Sequence, residues 1–168
     1  MLAANPGPIV VVNTCLLRGD AIIIEKHQIR SISLPDFDRH SMIKLSQEGT
    51  LKSSLALDRL WKCFANPVLD ALGFTTTPSG EWPHVWWIMT GLLTIFPIHE
   101  AGLHTKGCAD SVLDRVISSY HTSVQSLVRG RKRPSPTRPL HQALLVGRIG
   151  FHMFIMVYNL YRYSTNQL

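Results

Sequence analysis

At 168 residues the chain is long enough for one domain with a hydrophobic core and too short for two full ones. Hydrophobic residues at 45% against 17% charged exclude an intrinsically disordered chain. A net charge of +6 would suit a polyanion-binding surface, but Arg129, Arg131, Lys132, Arg133 and Arg138 supply five of the positive charges from one short segment without acidic residues, so the rest is close to neutral.

The chain opens MLAANPGPIVVVN, without a basic leader and with Pro6, Gly7 and Pro8 ahead of a short apolar run, which argues against a secretory signal and for a cytoplasmic protein. Residues 9–12 and 21–24 are β-branched runs separated by the turn chemistry of Arg18-Gly19-Asp20, and 29–33 alternates apolar and polar as a half-buried strand does. The pattern predicts a three-stranded meander ending at Pro35. Residues 36–44 are weakly helical in pattern, and 47–50 suit a loop.

From Ser54 the period changes. Leu57, Leu60, Trp61, Phe64, Val68 and Leu72 fall at helical spacing on one apolar stripe. Asn66-Pro67 interrupts it, which predicts two helices, with Asn66 capping the second and Pro67 at its first position. Gly73 is placed to end that helix in the left-handed conformation. Polar residues 75–81 form a loop leading to the strand VWWIM (85–89), and alternating burial on a strand accounts for the Trp82, Trp86 and Trp87 cluster more simply than a stacking platform does. A Thr-Gly turn and a second strand-like run, LLTIFPI (92–98), end at His99 and the loop Glu100-Ala101-Gly102. Residues 116–119 suit a further strand, and Thr122 is the candidate cap of a helix over 122–128. Residues 129–139 hold five basic residues and three prolines, which forbid regular structure. That segment suits a solvated linker, a nuclear import signal or a phosphate contact, and Ser135-Pro136-Thr137 could accept phosphate. One more apolar run occupies 143–146. Strands alternate with helices, and several strands are apolar on both faces, so the expected class is an α/β sheet covered on both sides.

Three cysteines, Cys15, Cys63 and Cys108, form no Cys-x-x-Cys pair and no even framework, so thiols in a reducing compartment are expected rather than disulfides or a zinc site. His104, His121 and His152 make no metal-binding spacing with His99. No cofactor and no metal follow from the pattern. A histidine delivered by a buried strand to a small-residue loop is how α/β enzymes hold a general base, which singles out His99. Ser118 and Ser119 have no spacing that would make them nucleophiles.

Four blocks in order, PIVVVN…RGDAIIIE, LWKCFANPVLDALGF, WWIMTGLLTIFPIHEAG and VLDRVISSYHTSVQSL, resemble the CHAT domain, a relative of the caspase and separase cysteine peptidases, in the branch common in filamentous fungi. Gly91, Pro97, His99, Ala101 and Gly102 match the histidine block, while Leu92 stands where proline is usual and Glu100 where alanine is usual. The resemblance implies a caspase-like three-layer αβα sandwich and assigns the catalytic base to His99. Its nucleophilic cysteine lies on a later strand, for which Cys15, Cys63 and Cys108 are no match. LHQALLVG resembles the family's next strand, but RIGFHMFIMVYNLYRYSTNQL does not continue the pattern.

Residues 1–147 therefore resemble the N-terminal two-thirds of the domain, and 148–168 form a divergent apolar tail that leaves the sandwich incomplete at its C-terminal side. The tail's composition is that of translated A/T-rich noncoding sequence, so a splice site or truncating change near Gly147 is expected. By resemblance, the substrate would be a peptide or protein, and upstream repeat or nucleotide-sensing domains would regulate it. The expected outcome is a truncated peptidase-type domain, inactive without its cysteine, and the alternative is a non-catalytic interaction or regulatory module. A third reading makes 143–161 a membrane anchor, about 28 Å long as a helix. Arg148, Gly147, Gly150, His152 and Asn159 make it a poor span, and neither membrane nor nucleic acid is the expected partner.

Overall fold

The structure, a computed structural model, describes residues 4, 7–15, 18–37, 39–47, 53–104, 110–131, 142–149 and 152–159. The chain divides into two compact units, Met1–Gly130 and Arg131–Leu168.

The first unit is built on a five-stranded mixed sheet. Strands β1 (Ile9–Thr14), β2 (Gly19–Ile24) and β3 (Ile29–Leu34) make the expected antiparallel meander, with Ile9 opposite Ile24 and Gly19 opposite Leu34. Strand β4 (His84–Met89) pairs with β1 in parallel, Val12 opposite Met89. Two short strands, β5 (Gly102–Leu103) and β6 (Asp110–Ser111), form a separate antiparallel pair. Strand β7 (Ile117–Tyr120) then lies parallel to β4, with Trp87 opposite Tyr120. The spatial order is β3-β2-β1-β4-β7. The carboxyl ends of β1, β4 and β7 thus share one margin of the sheet, where open α/β sheets place ligands.

Period-two alternation divides the apolar residues between two cores. Val10, Val12, Val85, Trp87 and Met89 face one side, under α1 (Arg39–Gln47), α2 (Ser54–Leu60) and α3 (Asn66–Ala71). Ile9, Ile24 and Ile88 face the other side. Strands apolar on both faces need cover on both, and the helices supply it. A four-residue turn of helix, α4 (Val112–Arg115), adds Val112 to the first core, and α5 (Val124–Arg131) lays Leu127 on the second. The architecture is therefore a mixed α/β, three-layer αβα sandwich, as expected.

Leu57, Leu60, Trp61, Phe64 and Val68 are buried as one stripe, and Leu72 is half-buried beside them. Phe64 stacks on Phe37 with ring centroids 5.0 Å apart and meets Trp87 edge-on at 5.8 Å. Burial of each such side chain contributes about 1.5–3 kcal/mol. Trp86 and Trp87 alternate as expected. Trp87 is fully buried, and Trp86 stacks on His84 with centroids 4.5 Å apart, while Trp82 lies in the preceding loop and is exposed.

The break expected at Asn66-Pro67 does not form. Residues Trp61–Ala65 make a π-type turn in which the Asn66 N–H donates to the Trp61 carbonyl, so α2 runs through it into α3. Proline cannot accept an ordinary helical neighbour four residues back, and the wider turn relieves that conflict. Asn66 is consequently helical and is no cap. Ser53 caps α2 instead, accepting the Ala56 N–H at 3.2 Å. Gly73 does close α3 as expected, at φ 79°. Its N–H reaches the Asp70 carbonyl at 3.0 Å, and the Phe74 N–H reaches Leu69 at 2.9 Å, the two bonds of a Schellman ending.

Strand β7 extends to Tyr120, one residue past the expected run. The cap of α5 is Ser123 rather than Thr122. Its Oγ accepts the Ser126 N–H at 3.1 Å, and its carbonyl accepts the Leu127 N–H at 3.1 Å. Arg129 and Arg131 lie in α5 rather than in irregular chain, and residues 132–140 fall outside the described residues.

In the second unit, β8 (Gln142–Ile149) and β9 (His152–Asn159) pair antiparallel, with Gln142 opposite Asn159 and Ile149 opposite His152. The helix considered for residues 143–161 is not formed there. The segment is rich in β-branched and aromatic residues and carries Gly147, which favour strand over helix. No helix among the described residues is long and apolar enough to cross a membrane.

Candidate functional site

His99 is not delivered by a strand. After β4 the chain turns at Gly91, whose φ of 55° suits glycine, into a 3₁₀ turn over Gly91–Ile95 and a second over Ile98–Glu100. Pro97 has no N–H for a sheet ladder, which is why the apolar run 92–98 fails as a central strand. Its apolar residues still reach the core: Leu93, Phe96, Ile98 and Ala101 are buried. Buried Ile98 and Ala101 flank His99 and Glu100 and hold the turn down, while the polar pair between them stays near the surface. The Glu100 N–H to Pro97 carbonyl bond (2.9 Å) and the Ala101 N–H to Ile98 carbonyl bond (3.0 Å) fix its backbone.

This turn sits beside the carboxyl end of β7, and Tyr120 is the residue that meets it. The His99 N–H donates to the Tyr120 hydroxyl at 2.9 Å, and His99 Nδ1 lies 2.9 Å from the same oxygen. The two rings meet edge-on, centroids 5.7 Å apart. On the other edge of the imidazole, Nε2 is 3.4 Å from Glu100 Oε1. Of the two neutral tautomers, the one protonated on Nε2 suits both neighbours, because it avoids opposing lone pairs at Glu100 and lets Nδ1 accept the Tyr120 O–H. Although Tyr120 is 44% exposed as a residue, desolvation at its hydroxyl, beside the 98–100 turn, raises the phenol above its ordinary range; the His99 N–H opposes this and the nearby Glu100 charge adds to it. Tyr120 thus keeps its proton, as a donor to Nδ1 requires. His99 and Glu100 side chains are 39% and 29% exposed, so the 3.4 Å contact between them is screened by water and contributes at most about 1 kcal/mol.

The remaining candidates are dispersed. Cys15 follows β1, is exposed, and sits at the same sheet margin as His99. Its strand lies two places from β7, a lateral offset of roughly 10 Å at ordinary strand spacing. Cys63 lies in the π-type turn, packed against the first core. Cys108 is outside the described residues. Ser118 accepts the buried indole N–H of Trp87 at 3.0 Å, and Ser119 Oγ is 2.7 Å from His84 Nε2. His104 Nε2 is 2.8 Å from the Glu100 carbonyl, and His121 Nδ1 is 2.8 Å from Ser126 Oγ at the start of α5. His152 begins β9, in the other unit. Among the described residues no three His, Cys, Asp or Glu side chains gather as a metal site would require.

Two residues of consequence escape sequence reasoning. Tyr120 is one, because its partner is 21 positions away and only the parallel pairing of β4 and β7 brings them to one margin. The other is Arg115, 6% exposed at the end of α4. Its Nε and Nη2 donate to the two carboxylate oxygens of Asp110, both at 2.9 Å. Nη1 donates to Asn66 Oδ1 at 3.1 Å, Asp70 Oδ1 at 3.2 Å and the Phe74 carbonyl at 3.3 Å. The guanidinium lies 4.6 Å from the Trp61 ring centroid, a cation–π contact. Arg115 thereby ties β6 to the end of α3. An arginine inside the apolar run Val-Leu-Asp-Arg-Val was the available signal.

Compared with known proteins, the chain matches no family model and no curated protein.

Proposed function

We propose that the first unit, Met1–Gly130, is part of a CHAT-like domain that acts as a non-hydrolytic, peptide- or protein-recognising module in the cytoplasm. The engagement of His99 carries the non-hydrolytic half of this reading. A general base must offer an in-plane lone pair to a nucleophile. Here Nδ1 lies 2.9 Å from the Tyr120 hydroxyl, which keeps its proton and donates to it in the Nε2-protonated tautomer, and Nε2 lies beside Glu100. The imidazole joins the 98–100 turn to β7, and Glu100, beside Nε2, stands where alanine is usual in the family. The order of hairpin, long helix, histidine turn, and strand with helix supports the family assignment, as does the αβα layering.

The test is hydrolysis of an unfolded protein by the full chain under reducing conditions, alongside His99→Ala. Neither protein is expected to cleave above the buffer rate. Cleavage by the parent chain that His99→Ala abolishes would overturn the non-hydrolytic reading and restore His99 as a base. The recognition half is tested separately with an immobilised library of extended peptides. Selective retention that survives His99→Ala is expected, and uniform failure to bind any peptide would refute it.

A further inference from the structure

We draw no further inference here: the strongest candidate, the apolar cleft of about 290 Å³ between the β2–β3 turn and the end of α3, lined by Pro8, Leu72 and Phe74, has nothing among the described residues to show what covers it.

Discussion

Replacing Arg115 with alanine is expected to destabilise the chain by about 3 kcal/mol. Removing one member of a buried ion pair costs about 3–5 kcal/mol, because the partner is left charged and uncompensated. The lower end applies here. Asp110 and Asp70 side chains are 36% and 48% exposed, so both carboxylates regain water once the guanidinium is gone. The Phe74 carbonyl and Asn66 Oδ1 lose a donor, and Trp61 loses its stacked cation, which together keep the cost from falling further. Arg115→Lys preserves the charge but cannot form the two-pronged bond to Asp110, and about 1.5 kcal/mol is expected. Urea unfolding of the full chain, followed by intrinsic fluorescence, measures both. In thermal terms, 3 kcal/mol is a fall of roughly 6–12 °C in Tm. A double-mutant cycle with Asp110→Asn isolates the pair and should return a coupling of about 1–3 kcal/mol. An Arg115→Ala protein within about 0.5 kcal/mol of the parent, or a coupling near zero, would refute the role of this arginine in tying β6 to α3.

Tyr120→Phe removes both hydrogen bonds at His99 and should cost about 1–2 kcal/mol, with the Nδ1 shift moving by NMR as it loses its donor while the Nε2–H beside Glu100 persists. A Tyr120→Phe protein with an unchanged Nδ1 shift would contradict the Tyr120 O–H to Nδ1 hydrogen bond. Because the folded phenol titrates above its ordinary value of 10.0, its contribution is complete below pH 10.0 and is lost as alkali ionises it, so the parent should lose stability at high pH more steeply than Tyr120→Phe. Glu25 behaves in the opposite sense. The Arg30 side chain, donating to Glu25 Oε2 at 2.9 Å, holds its carboxyl below the ordinary value of 4.5, with Gln28 assisting against desolvation. The stability advantage over Glu25→Gln should therefore be constant above pH 4.5 and shrink as acid titrates the folded carboxylate. A difference that is flat with pH would exclude this linkage. Gly73→Ala meets no atom within 4 Å, so only the φ of 79° opposes it; about 1 kcal/mol is expected in the same urea titration, and less for Gly73→Asn.

The sequence by itself determined the features that depend on local periodicity. The β-branched runs of the N-terminal meander, the 3.6-residue stripe from Leu57 to Leu72, the alternation of Trp86 and Trp87, and Gly73 as a helix end could all be read directly. Each of these is a relation between residues a few positions apart. Tertiary structure alone decided the rest. Asn66-Pro67 carries a strong stop signal, yet packing of the whole stripe against the sheet favours a π-type turn over a break. The apolar run 92–98 has the composition of a strand, but Gly91 and Pro97 make it two 3₁₀ turns whose side chains still fill the core. His99 was legible as a candidate from its flanking residues, whereas what it does was not. Its chemistry is set by a tyrosine 21 residues away and a neighbouring carboxylate, and only the parallel pairing of β4 with β7 brings that phenol to the imidazole.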